Sequence, residues 1–394
     1  MDEICRTTRL RSGILGYIFL FVVFCSAPWL RAIGAIEKPK AVIAYMFPQD
    51  RLIDPAEVDG RKVTRINYAF ANVKDGEVVP GFSHDAENLA FITSLKRENP
   101  ALTAVISVGG WSWSGEFSDV ALTRESRRRF VESAVRFVER YGLDGVDIDW
   151  EYPGMVGDGN KFRPEDKQNY TLLLADLRAR FDVEGRRLGR HLVVSIATGA
   201  STHFLENTEM EKVARYVDTV NVMTYDYYMP GVDRVTGHDA PLLASEDDPK
   251  HVSAQRTVEE YLRAGVPARK LMLGVPFYAR SWSLVSGEGH GLFQSGKPAH
   301  GLHVSLGDVS GLLENGFVRY WDANAAVPYL YNEQTGTFIS YEDEESIAKK
   351  CEYVMDQGLG GVMFWEYFSD PSGVLLDAVD AGLGRGSTRS LTGN

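Results

Sequence analysis

An alternation constrains this chain more than any other feature of its sequence. From Pro39 onward, eight short apolar runs rich in β-branched residues (41–45, 65–70, 103–108, 145–150, 192–197, 219–223, 271–275 and 361–365) are separated by stretches with helical periodicity, such as 126–140, 164–180, 252–264 and 344–357. In the first of these, Phe130, Val131, Ala134, Phe137 and Val138 fall on one stripe, the spacing of an amphipathic helix. Eight strands alternating with helices predict an α/β fold, a (β/α)8 TIM barrel built on a parallel sheet. Counting strands leaves an open doubly wound sheet as the alternative.

One connection is out of scale. More than sixty residues separate the strand ending near Phe277 from the helix starting near Glu344, where a strand-to-helix loop takes about 2–6. Strand-like pieces at 317–321, 328–331 and 337–341 within it predict a small α+β insertion between strand 7 and helix 7, standing on the carboxyl face as one wall of a cleft. The expected organisation is a signal peptide over 1–35, a barrel over 36–384, the insertion over 281–341 within it, and a disordered Gly-, Ser- and Thr-rich tail over 385–394.

At the amino terminus, Arg6, Arg9 and Arg11 precede an uncharged run from Ser12 to Leu30. A basic head, a short apolar stretch and small residues read as a secretory signal, cleaved after Ala27 or, preferably, Ala35. The competing reading is an uncleaved anchor, because the run approaches the ~18 residues a membrane span needs. Cleavage after Ala35 moves the net charge from -12 to -14, since residues 1–35 hold four Arg and two acids. An acidic chain argues against a nucleic-acid surface. Cys5 and Cys25 lie in the signal, leaving Cys351 as a lone, buried and inert thiol.

The most informative segment runs from Asp144 to Pro153. On a strand, alternate side chains share a face, so Asp147, Asp149 and Glu151 point one way and Val146, Ile148 and Trp150 the other. Carboxylates about 6.6 Å apart along a buried strand cannot all ionise easily. Glu151 falls at the carboxyl end, where a barrel opens to its ligand. A carboxylic acid kept protonated at the mouth of a cleft is what a glycosidase needs as general acid. The strand rise leaves retaining and inverting chemistry both open.

Asp144, Asp147, Asp149 and Glu151 match the DxxDxDxE signature of family-18 glycoside hydrolases, and the chain resembles that family over nearly its whole length after the signal. Ser107-Val108-Gly109-Gly110-Trp111 matches the SxGG motif, and Met223-Thr224-Tyr225-Asp226 the MxYD motif. Gly274 to Arg280 resembles the seventh strand, Gly360 to Trp365 the eighth, and the long connection the insertion domain of the deeper-clefted, bacterial-type chitinases. Export without disulfides agrees with a bacterial-type secreted protein.

The resemblance implies retaining, substrate-assisted hydrolysis of β-1,4-linked N-acetylglucosamine in chitin and chitooligosaccharides, with no cofactor or metal. Glu151 would protonate the glycosidic oxygen and the 2-acetamido carbonyl would attack the anomeric carbon. Asp149 would orient the acetamido group, Asp147 would share its proton, and Tyr225 would bond the acetamido oxygen. Ser107 would support the carboxylates, and Asp144 would be structural. The implied substrate-binding residues are Trp365, Trp111, Asp226, Met223, Tyr45, Phe70, Arg280 and Tyr278. Trp113, Trp282 and Trp321 are evenly balanced between cleft and core, and Trp150 is expected to pack.

The expected partner is the polysaccharide, bound by a secreted monomer with no nucleic acid and no stable membrane association. With no polymer-binding module visible, stronger action on soluble oligomers than on crystalline chitin follows. Rival readings are a chitinase-like lectin, a hydrolase of another N-acetylglucosamine-containing glycan, and a structural cell-surface protein. The remaining signals are bland. Arg124, Arg127, Arg128 and Arg129 read as a solvated helix face. His300 and His303 lack a third metal ligand. Gly287, Gly289 and Gly291 lack the setting of a nucleotide loop.

Overall fold

The computed structural model describes residues 39–299 and 309–385. The signal segment, His300, His303 and tail residues 386–394 lie outside the described residues. Arg385, where the tail was expected to begin, is tied back to the barrel: its N–H donates to the Asp380 carbonyl and its guanidinium to the Lys62 carbonyl, both at 3.0 Å.

In chain order the strands are β1 (Ala41–Met46), β2 (Arg65–Lys74), β3 (Glu77–Pro80), β4 (Thr103–Gly109), β5 (Gly145–Asp149), β6 (Val193–Gly199), β7 (Thr219–Met223) and β8 (Leu271–Pro276). They continue with β9 (Arg280–Ser283), β10 (Lys297–Pro298), β11 (Val318–Asp322), β12 (Val327–Asn332), β13 (Thr337–Ser340) and β14 (Gly361–Trp365). Eight of them pair in parallel in the order β1-β14-β8-β7-β6-β5-β4-β2, and β1 pairs with β2 in the register Ile43↔Arg65, so the sheet closes. Closure excludes the open doubly wound sheet and establishes the (β/α)8 barrel. β3 is a short antiparallel addition to β2.

Period-2 alternation on these strands separates two apolar regions. Outward residues such as Val146, Ile148 and Trp150 join the large core between sheet and helices. Inward residues, among them Ile43, Tyr45, Ala69, Met272 and Met363, fill the barrel. The helix Arg124–Tyr141 starts on a Thr123/Ser126 capping box, ends at left-handed Gly142, and buries Phe130, Val131, Ala134, Phe137 and Val138 against the sheet. Its basic residues are not uniformly solvated. Arg127 is buried, donating to Asp176 and to the Ala121 carbonyl.

The long connection carries a separate antiparallel sheet in the order β10-β9-β13-β12-β11. Tyr329 and Tyr331 face one way, with Trp282 and Phe338. Leu330 faces the other, with Ile339 and Tyr341. The sheet starts at Arg280, so a residue expected in the cleft sits on its first strand. It is tied to the barrel by polar contacts. Lys350, fully buried, donates to Glu342 at 2.5 Å and to the Ala240 carbonyl at 2.8 Å, and His238 Nε2 meets Asp322 at 2.9 Å.

Candidate active site

The carboxyl end of the barrel opens into a cleft of about 1240 Å³, larger than the 300–1,000 Å³ typical of drug-sized ligands. It receives Asp149, Glu151, Tyr225, Asp226, Met223, Tyr45, Phe70, Tyr278, Arg280, Trp111 and Trp365. Asp147 alone among the expected site residues lies beneath the cleft rather than in its wall. It is fully buried and reached from four other strands. Tyr45 Oη (2.8 Å) and Ser107 Oγ (2.8 Å) donate to its Oδ2, and Ser195 Oγ (2.6 Å) and Asn221 Nδ2 (3.2 Å) to its Oδ1. Burial raises the Asp147 carboxyl above its ordinary range, while these hydrogen bonds and buried Arg65 oppose the rise.

Asp149 is the opposite case. Its Oδ1 is buried without a hydrogen-bond partner, and burial, then Glu151, then Asp147 push its pKa well up. Glu151, just past the end of β5, is raised from 4.5 to about 7, chiefly by burial and further by Asp226, against a lowering hydrogen bond from Tyr152. The row therefore holds a proton near neutral pH at the cleft mouth. Which carboxyl carries it belongs to the interacting set.

The loop after β4 holds the end of β5 in place. Gly110 N–H donates to the Asp149 carbonyl at 2.8 Å. Ser114 accepts the Glu151 N–H at 2.8 Å and donates to the Asp149 carbonyl at 3.2 Å. The paired glycines are required by space: a Cβ on Gly109 would lie 2.3 Å from the Asp149 carbonyl oxygen, and one on Gly110, at φ +80°, 2.6 Å from the Phe70 ring. Asp144 sits at the other end of the strand, accepting the Ala104 N–H at 2.7 Å and pairing with Lys96 and Arg190, a structural tie.

Trp365 forms the floor, stacked on Phe70 (5.5 Å between centroids, 20° between planes) with Phe47 and Tyr45 beside it. Trp111 is half exposed at the rim, edge-on to Tyr152. Trp113 lines the cleft against Phe82. Trp282 is fully buried within the insertion sheet, and Trp321 packs on the barrel core beneath Arg319; neither reaches the cleft. Trp150 packs between Phe117 and Tyr170, as expected. Asp226 accepts from Tyr278 Oη at 2.9 Å and Arg280 Nε at 2.8 Å.

Sequence reasoning missed Ser114, Ser195, Asn221, Phe47, Phe82 and Asp239. Phe47, directly after β1, and Asn221, in the inward register of β7, carried usable signals. The others depend on contacts distant in sequence. Among the described residues no group of three His, Cys, Asp or Glu side chains is placed to hold a metal ion, and no helix is long and apolar enough to cross a membrane.

A closed parallel barrel carrying a buried carboxyl row with raised pKa values at the end of its fourth parallel strand is the arrangement of a glycoside hydrolase. The chain matches the glycosyl hydrolases family 18 over residues 42–370 and belongs to that family. It is 39% identical over 395 residues to chitinase A1 of Niallia circulans, an alignment covering 84% of this chain and 56% of that protein. To chitotriosidase-1 of Mus musculus it is 32% identical over 328 residues, 79% of this chain and 68% of the other. Among solved structures, a family-18 N-acetylglucosaminidase from Paenibacillus barengoltzii is 41% identical with a TM-score of 0.79, covering 87% of this chain and 99% of that one. The cell-surface-expressed, multi-modular chitinase ChiW from Paenibacillus sp. str. FPU-7 is 40% identical with a TM-score of 0.82, over 88% of this chain and 43% of that one. The chain thus spans about half the length of chitinase A1 of Niallia circulans.

Proposed function

We propose that this protein is a chitinase, hydrolysing β-1,4 linkages between N-acetylglucosamine units with retention of anomeric configuration. The observation that carries the proposal is the buried carboxyl row at the end of β5, with Glu151 at the cleft mouth raised to about 7 chiefly by burial, beside Asp149 raised by burial and by Glu151. Glu151 donates its proton to the glycosidic oxygen. The substrate's acetamido oxygen then attacks the anomeric carbon, so the protein supplies no nucleophile. Asp149 accepts the acetamido N–H and stabilises the positive ring, while Tyr225 bonds the acetamido oxygen. The aromatic floor stacks on the apolar faces of the sugars.

The size of the cleft supports an oligomeric ligand. The likeness to an N-acetylglucosaminidase along 99% of its chain favours a second reading, release of single sugars from a chain end. Mass spectrometry of the products from an N-acetylglucosamine hexamer decides: dimers and longer fragments support the chitinase, monomer alone supports the exo reading, and intact hexamer refutes both. The reading includes export through the segment 1–35 and action as a monomer on the polysaccharide. Amino-terminal sequencing and sedimentation of the exported protein test these two points.

A further inference from the structure

Asp226 enters the cleft in a backbone state that requires support. Its φ is +58°, in the left-handed region that non-glycine residues seldom occupy. The support comes from Asp239, in the loop between β7 and the helix Ala254–Arg263. Asp239 Oδ1 accepts the Asp226 N–H at 3.1 Å and lies 3.8 Å from Arg280 Nε. The backbone of Asp239 is pinned on both sides: its N–H donates to Ser340 Oγ at 2.8 Å, and its carbonyl accepts the Tyr227 N–H at 3.0 Å. The side chain is 2% exposed, outside the cleft wall, and its Oδ2 is buried with no hydrogen-bond partner.

Two carboxyl groups therefore meet one guanidinium. Arg280 already donates twice to Asp226, through Nε and Nη2. The other groups facing Asp239 are Tyr278, between β8 and β9, and Glu342, just past β13, which is itself matched to Lys350. His238 next to it turns away to Asp322. No second cation among these groups balances an ionised Asp239. A buried carboxylate with an unpaired oxygen is costly, whereas the neutral acid removes that cost by donating.

We propose that Asp239 is a positioning residue for the cleft, acting as a neutral carboxyl that accepts the Asp226 N–H with one oxygen and turns the other, unpartnered in this structure, to donate its proton to the Asp226 carboxylate. This rests on the reading of Asp226 as a sugar-binding residue. Burial first, then the neighbouring Asp226 charge, hold the Asp239 carboxyl well above its ordinary range, with Arg280 opposing. Asp239 thereby couples the insertion sheet, through Ser340 and Arg280, to the geometry of the substrate-binding carboxylate.

Two variants test the proposal. Asp239→Asn keeps the acceptor and places an N–H donor where the proton was; Asp239→Ala removes both. Expected at the pH optimum on an N-acetylglucosamine oligomer is kcat/KM within about threefold of the parent for Asp239→Asn, and a loss of about tenfold or more for Asp239→Ala, carried mainly by KM. A second readout needs no activity. A raised carboxyl favours the folded state at low pH and loses that contribution as pH rises from its ordinary value to its raised one. The Tm of Asp239→Asn should therefore gain on that of the parent between pH 4 and 8. Equal damage from Asn and Ala, a parent-like Asp239→Ala, or parallel Tm curves would each overturn the proposal. A parent that cleaves no such oligomer overturns the chitinase reading instead, and the Tm comparison still decides the state of Asp239.

Discussion

The proposed general acid, Glu151, sets a pH limit whose position follows from burial. Glu151 is raised from 4.5 to about 7, which corresponds to about 3 kcal/mol of preference for the protonated form. Near neutral pH the carboxyl row then retains a proton in a substantial share of the free enzyme, where at pH 7 an ordinary glutamate would keep it on about one molecule in three hundred. Raising the pH through neutrality is the perturbation. The structure predicts a plateau in kcat/KM below about pH 6 that bends near 7 and falls about tenfold per pH unit above it. The assay is initial-rate hydrolysis of a soluble N-acetylglucosamine oligomer across pH 4–9, with circular dichroism confirming the fold at each point. The linked stability has a definite sign. The raised pKa means the folded state binds the extra proton between about 4.5 and 7, so stability falls with rising pH across that window, and Glu151→Gln should flatten the fall. A kcat/KM limb near 4.5, or a flat profile to pH 9, would refute the burial argument.

Three other perturbations have directions given by the packing. Lys350→Met leaves the Glu342 carboxyl buried with Ser346 as its remaining side-chain donor, and should cost about 3–5 kcal/mol; urea unfolding should show most of that recovered in Lys350→Met/Glu342→Leu. Trp365→Ala removes the ring stacked on Phe70 and should raise KM about tenfold, at roughly 0.5–1.5 kcal/mol per lost aromatic contact, with a smaller effect on an N-acetylglucosamine dimer than on the hexamer. The Cys351 thiol, buried and pushed up to about 12, should resist thiol reagents in the native protein and react only in denaturant.

The barrel was legible because eight short apolar runs alternate with amphipathic helical stretches along the chain. The carboxyl row from Asp147 to Glu151 was visible from the period of a single strand, since alternation alone puts the three on one face. What escaped was whatever depends on contacts distant in sequence. Ser195 and Asn221 are ordinary polar residues until neighbouring strands bring both onto Asp147. Ser114 is one serine in a Trp- and Gly-rich loop, and its hydroxyl accepts the Glu151 N–H from 37 residues away. Tryptophan composition could not separate Trp113, in the loop after β4 and facing the cleft, from Trp282, within β9 and buried in the insertion core, because the contacts that place each come from residues distant in sequence. Asp239 was invisible because its partner Ser340 lies 101 residues on, across the insertion.

The central claim is that Glu151 protonates the glycosidic oxygen and that the product keeps its anomeric configuration. The direct test is hydrolysis of an N-acetylglucosamine hexamer by the parent protein and its Glu151→Gln variant, with the anomers followed by NMR from the first seconds. The account predicts initially β-anomeric products from the parent, and a loss of turnover of at least about a hundredfold in the variant with hexamer binding retained. Initially α-anomeric products, or a Glu151→Gln variant that turns over like the parent, would contradict it.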